Sequence, residues 1–124
     1  MVSQYKELVM NFENLDVWKR SARLSTEIYK STNELKDFDF RDQLTRSGLS
    51  VPSNIAEGVS RESYKEKSRF IDIARSSLAE TRTQIYIGME IGYLEREKAL
   101  YWISETKELG AMLTGLKQQF DNRS

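Results

Sequence analysis

The chain has 124 residues, neither cysteine nor histidine, and 19 lysines and arginines against 19 aspartates and glutamates. That length suits one domain, 1–124, with a core of its own, while the missing residue types exclude disulfides, thiolate metal sites, cysteine nucleophiles and histidine bases. Zero net charge weighs against a dedicated nucleic-acid protein, which carries a basic excess. No apolar run approaches the ~20 residues that span a bilayer, and Met1–Met10 lacks the basic start and apolar core of a signal peptide. A cytoplasmic protein with no cofactor and no membrane partner is expected.

Apolar spacing predicts four helices, at about 15–35, 40–59, 63–91 and 95–120. In the first, Leu15, Trp18, Ala22, Ser25 and Tyr29 form one stripe and Val17, Ser21, Leu24, Ile28 and Leu35 a second, giving a wide apolar face. Asn14 is placed to cap it, with Asp16 in its first turn. In the second, Asp39 is the expected cap, and Phe40, Leu44, Ser47, Val51 and Ile55 share a face. Pro52, the only proline, falls inside this pattern. Proline removes an N–H and presses on the preceding turn, and Gly48, four residues earlier, makes a kinked but continuous helix tolerable. Gly58 offers a left-handed stop.

The third helix opens on Ser63-Tyr64-Lys65-Glu66, which has capping-box spacing. Tyr64, Ile71, Ala74, Leu78, Thr81, Ile85 and Gly88 keep one register, and Phe70, Ile73, Ser77, Gln84, Ile87 and Ile91 form a neighbouring stripe. Gly92 is the expected stop before a fourth helix that carries Trp102, Thr106, Leu109, Leu113, Leu116 and Phe120 on one face. The tail Asp121–Ser124 reads as frayed. Short connections make the fold all-α: an antiparallel up-down-up-down four-helix bundle.

Tests for chemistry return little. A di-iron bundle requires inward Glu-x-x-His pairs, which a chain without histidine cannot supply. Glu57 and Glu80 are the best inward-facing acids, read as structural. The six glycines are scattered and form no phosphate loop. No metal and no catalytic residue is assigned, and the chain is read as a non-enzyme.

Basic residues suggest more. Residues 17–82 hold thirteen Lys and Arg against ten Asp and Glu. Lys19, Arg20 and Arg23 cluster on the first helix, Arg46 lies on the second, and Arg61, Lys65, Arg69 and Arg82 lie around and along the third. Adjoining, these faces would hold a phosphate backbone; otherwise they are a solvated surface balanced by Glu62, Glu66 and Asp72. Tyr86, Tyr93 and Tyr101, with the two stripes of the first helix, also exceed what one narrow seam requires, which points to self-association.

Phe12-Glu13-Asn14-Leu15-Asp16-Val17-Trp18-Lys19, the run Gln43 to Gly58 and the run Phe70 to Thr81 together resemble the 23S rRNA intervening sequence proteins, also called S23 ribosomal proteins. The resemblance covers residues 12–120. It implies a four-helix bundle assembling as a homopentamer, with an RNA-linked role for some members and no known reaction. The family is similar in turn to the accessory variability determinants of diversity-generating retroelements, basic pentamers that bind nucleic acid and a reverse transcriptase; the zero net charge here departs from that pattern.

Within the central signature Asn54 and Glu57 share a helix face, as do Ser77 and Glu80. With Arg46 and Arg75 as counter-charges they predict a buried polar network between the second and third helices, the bend being set by Pro52 and Gly48. The resulting expectation is a non-catalytic homo-oligomeric scaffold or adaptor, a pentamer by the resemblance, that presents a repeated polar surface to RNA, DNA or a protein partner. The alternative is a protein-interaction module without nucleic-acid affinity.

Overall fold

The computed structural model describes residues 11–123, so the reading of Met1–Met10 and the last residue, Ser124, lie outside it. A 3-10 turn at Phe12–Asn14 leads into four helices: α1 (Asp16–Thr32), α2 (Phe38–Val59), α3 (Tyr64–Glu90) and α4 (Arg96–Arg123). The described residues contain no strand. One core draws on every helix, including Leu24 and Ile28 from α1, Leu44 and Ile55 from α2, Ile71 and Leu78 from α3, and Trp102 and Leu109 from α4. Cross-helix partners run in opposite senses. Ser47 meets Thr81, Ser50 meets Ser77, and Gly58 faces Phe70; between α1 and α4, Arg20 meets Glu105 and Glu27 meets Trp102. Neighbours are therefore antiparallel, as short connections require.

Local chemistry sets the boundaries, with some shifts from expectation. Asn11, not Asn14, is the capping asparagine: its Oδ1 accepts from Glu13 N at 3.0 Å and so starts the 3-10 turn. The N-cap of α1 is Leu15, which has no side-chain hydrogen bond to give. The cap of α2 is Asp37, two residues before the expected Asp39; its carboxylate accepts from Phe40 N at 3.1 Å. Ser63 caps α3 as expected, accepting from Glu66 N at 3.1 Å. Gly92 is the stop after α3, with φ of +83°, where an L-residue would be strained. The tail is not frayed through residue 123: α4 continues to Arg123, and Asp121 is bonded to Lys117 and Ser68.

Helix α2 is continuous through Pro52. Its other signature glycine has a different role from the one expected. Gly58 lies inside the helix and is not left-handed. It is small because α3 lies against it: a Cβ there would sit 2.7 Å from Phe70 Cβ. Of the two stripes of α1, Val17, Ser21, Leu24 and Ile28 are buried in the core. The other stripe is only partly so: Ser25 is buried, Leu15 and Trp18 are half-buried against the core, Tyr29 is exposed, and Trp18, Ala22 and Ser25 line an open groove with Leu49, Pro52 and Ala56 of α2.

Candidate functional site

Apart from Arg46, alone on α2, the predicted cations fall into three places. On α1, Arg20 is tied down: Nη2 is 2.6 Å from Glu105 Oε1 and Nε is 3.0 Å from Oε2, the planar fork geometry of a bidentate pair, with Glu108 at 3.3 Å. The two carboxylates raise its pKa and keep it charged. Lys19 and Arg23 are exposed and form no ion pair among the described residues. Arg46 on α2 is also exposed and without an ion pair among the described residues.

At the start of α3, Arg61 and Arg69 flank the ring of Phe70, 4.6 and 4.7 Å from its centroid. Both are paired locally, Arg61 with Glu57 at the end of α2 at 3.2 Å and Arg69 with Glu66 in the first turn of α3 at 3.0 Å. The Arg69 guanidinium holds the Glu66 carboxyl below its usual range. Lys65 lies between them in sequence, exposed and without an ion pair among the described residues, but Glu57, Glu62 and Glu66 match the three cations charge for charge. This cluster is a balanced surface rather than a positive one.

Arg82 is the third place. It is half-buried and reaches to α4, where Nε donates to Thr106 Oγ1 at 2.9 Å and Nη2 to Thr106 O at 3.3 Å. The eight cations therefore do not form one patch.

The signature residues divide as well. Ser50 Oγ is 2.8 Å from Ser77 Oγ, and Asn54 Nδ2 donates to Ser50 O at 2.8 Å and Ser50 Oγ at 2.9 Å. One turn away, Ser47 Oγ lies 2.6 Å from Gln84 Oε1 and 3.0 Å from Thr81 Oγ1. A polar network does join α2 and α3, but its members are neutral. Glu57 and Glu80 are outside it, exposed on the helix surfaces, and this corrects the reading of both as inward-facing acids. Arg75 pairs with Asp72, not with either glutamate. Charged termini would need more room than helices this close leave, which is why short hydroxyls and amides fill the seam. Gly48 and Pro52 are both buried, Gly48 with Ile28 Cδ1 3.4 Å from where its Cβ would be.

Sequence reasoning missed two cations. Lys67 is 2% exposed and its Nζ donates to Val59 O at 2.7 Å, capping the carbonyl end of α2; burial pushes its pKa down. The signal was its place in the stripe Lys67, Ile71, Ala74, Leu78. Lys107 of α4 lies in a cavity with Arg75 and Arg82, a meeting only the packing of α3 on α4 reveals. Among the described residues no group of three or more Asp or Glu side chains is arranged to hold a metal ion, and no helix is long and apolar enough to cross a membrane.

The fold and this seam define a small all-α bundle protein. The chain belongs to the 23S rRNA-intervening sequence protein family, whose model matches residues 13–115. It is similar to a solved protein of unknown function from the S23 ribosomal protein family of Bacteroides thetaiotaomicron VPI-5482, at 26% identity and a TM-score of 0.76, over 82% of this chain and 97% of that one. No curated protein matches it.

Proposed function

We propose that the protein is a non-catalytic, cytoplasmic scaffold that self-associates, as the homopentamer its family resemblance implies. The observation that carries this reading is the outward stripe of α3. Ile73, Ile87 and Ile91, fourteen and four residues apart, share one face of the helix, yet they are 37%, 49% and 54% exposed. A second copy of the chain is the occupant that fits. Arg46 and Glu80 both lie on the outward surface of the α2–α3 pair without an ion pair among the described residues, so each copy offers one charge of each sign beside the stripe.

Sedimentation at tens of micromolar tests it, with concentrations chosen around common association constants. The expected result is a species several times the 14.5 kDa protomer. Ile87→Glu is expected to disperse it while leaving the helical circular dichroism intact, because Ile87 is outside the core. A wild-type monomer across the range overturns the reading.

Nucleic-acid contact is the narrower form of this proposal, and it is supported by the exposed Lys19, Arg23, Arg46 and Lys65. The protein-only alternative is supported by the balanced charge around Phe70. Anisotropy of labelled structured RNA and duplex DNA separates the two: binding that falls steeply with salt selects the first, and no binding at low salt the second.

A further inference from the structure

Arg82 poses an unanswered electrostatic question. It is half-buried between the two longest helices, and both of its hydrogen bonds go to neutral oxygens of Thr106. It has no ion pair with any carboxylate among the described residues. A guanidinium withdrawn from water is ordinarily matched by an opposite charge, because desolvation without one is expensive. Here the neighbourhood adds positive charge. Arg82, Arg75 and Lys107 line one cavity of about 290 Å³ with Leu78, Gly110 and Thr114. The one local carboxylate is Asp72, 3.0 Å from Arg75, which leaves three cations against one anion.

The surrounding surface does not supply the missing negative charge. On α4 the residues that share the outward face with Lys107 are Leu100, Ser104, Ala111, Thr114 and Gln118, at three- and four-residue spacing, and none is acidic. Glu105 and Glu108, the nearest acids in sequence, point to the other side, where both hold Arg20. Gly110 and Ala111 also keep the wall low: a Cβ on Gly110 would stand 3.7 Å from Arg82 Nη2, in ordinary van der Waals contact, so the guanidinium lies directly against this stretch of α4.

From this geometry we infer that the α3–α4 cavity is an oxyanion site for a phosphate group, free or carried as an ester. The chemistry fits the donors. An arginine has five N–H donors in a planar fork, and Thr106 takes two of them, so the rest are free to meet two oxygens of one phosphate. Thr106 is fully buried and its own hydroxyl donates to Ile103 O at 2.6 Å, so it holds Arg82 from a fixed position. The fork is thereby oriented before the ligand arrives, which reduces the entropy lost on binding. Lys107, exposed and without an ion pair among the described residues, adds a mobile second charge over the cavity. The site is independent of self-association: Arg75 and Arg82 line this cavity, whereas Ile73, Ile87 and Ile91 are exposed on the outward stripe of α3 and line none of it.

The test is a titration of the intact protein with inorganic phosphate and, separately, adenosine 5′-monophosphate, followed by amide NMR. Saturable shifts at Gly110 and Thr114, with a dissociation constant on the order of 1 mM or tighter, are expected from at least one probe. Lys107→Gln, at an exposed position, and Arg75→Gln, at a half-buried one outside the core, are each expected to weaken binding about tenfold, while Lys19→Gln changes nothing. Equal affinity for both probes identifies a free oxyanion as sufficient; tighter binding of the ester identifies a carried phosphate. No saturable shift at Gly110 and Thr114 with either probe overturns the site, as do shifts that survive unchanged in the Lys107→Gln, Arg75→Gln double variant.

Discussion

The α2–α3 seam and the α1–α4 seam join the same kind of element in opposite ways. Between α2 and α3 the linking side chains are short: Ser47, Ser50, Asn54, Ser77 and Thr81, with Gly58 set directly against Phe70. Between α1 and α4 they are long: Arg20 to Glu105 and Glu108, Glu27 to Trp102 Nε1 at 3.0 Å, Lys98 to Ser31 at 3.2 Å. Short groups pull backbones close and fix register through sterics. Long charged groups bridge a wider gap and fix register through direction. The first kind of seam fails when something is added to it, and the second when something is taken away.

The largest expected effect follows from the first half of that statement. Gly58→Ala would place a methyl 2.7 Å from Phe70 Cβ and 3.4 Å from Lys67 O. Neither is the free end of a flexible side chain, so α2 and α3 must part. A loss of about 3 kcal/mol in urea unfolding is expected. An equally small addition at Gly115, where nothing lies within 4 Å, is expected to be neutral or slightly stabilising through helix propensity. Next comes Ser47→Ala, which leaves Gln84 Oε1 and Thr81 Oγ1 without their shared partner in a mostly buried seam. About 1.5 kcal/mol is the expected cost.

The contrast also explains what could be read from the sequence. The α2–α3 seam was legible in part, because Asn54 and Ser77 announced a polar network between the two helices and Gly48 a small site before Pro52, but Gly58 read as a helix stop rather than as the place where α3 comes closest. Its charge state was not. Helical spacing puts Glu57 on the same side as Asn54, but the far end of a four-atom side chain swings out to Arg61, and spacing alone does not show that. The four helices, the Gly92 stop and the Ser63 cap were legible because each depends on neighbours within a turn. The α1–α4 pairs and the Arg75, Arg82, Lys107 cavity were not, since their members are tens of residues apart and meet only after packing. Arg20 and Arg82, grouped as two cations of one surface, are bound to different partners on opposite sides of α4.

For the second seam, removal is the probe. Arg20→Met removes the guanidinium that reaches both Glu105 and the Met112 sulfur, and leaves Glu105, whose side chain is 11% exposed, without its bidentate partner. About 1 kcal/mol is the expected loss. High salt should reduce the wild-type advantage only partly, because a half-buried pair is less screened than an exposed one. Complete loss of the advantage in salt would reassign this seam to the weak surface class.

A smaller effect is expected at the far end of α3–α4. Ser68 and Lys117 hold the Asp121 carboxyl below its usual range. A depressed folded value means that the unfolded chain binds more protons as pH falls, so the contribution is present above the unfolded pKa of about 3.9 and disappears as pH falls through the folded one. The thermal midpoint of wild type should exceed that of Asp121→Asn at neutral pH, and the two should converge in acid. A constant gap at every pH would mean that Asp121 acts through Ser68 geometry alone.

Glu57→Ala should do least, and it is the most diagnostic of the comparison. The side chain is 54% exposed, its one partner is the 44% exposed Arg61 four residues on, and neither belongs to the polar seam beside them. Pairs of this kind contribute about 0.5 kcal/mol or less. Asn54→Ala, three residues earlier and inside the seam, should cost about 1 kcal/mol because it strips Ser50 of a donor. The two unfolding curves, measured side by side, should therefore separate neighbours that sequence spacing treats as equivalent. If Glu57→Ala proves as costly as Asn54→Ala, and the excess grows with protein concentration, the carboxylate has a partner beyond its own chain, and the outward face of α2 is then part of the self-association surface.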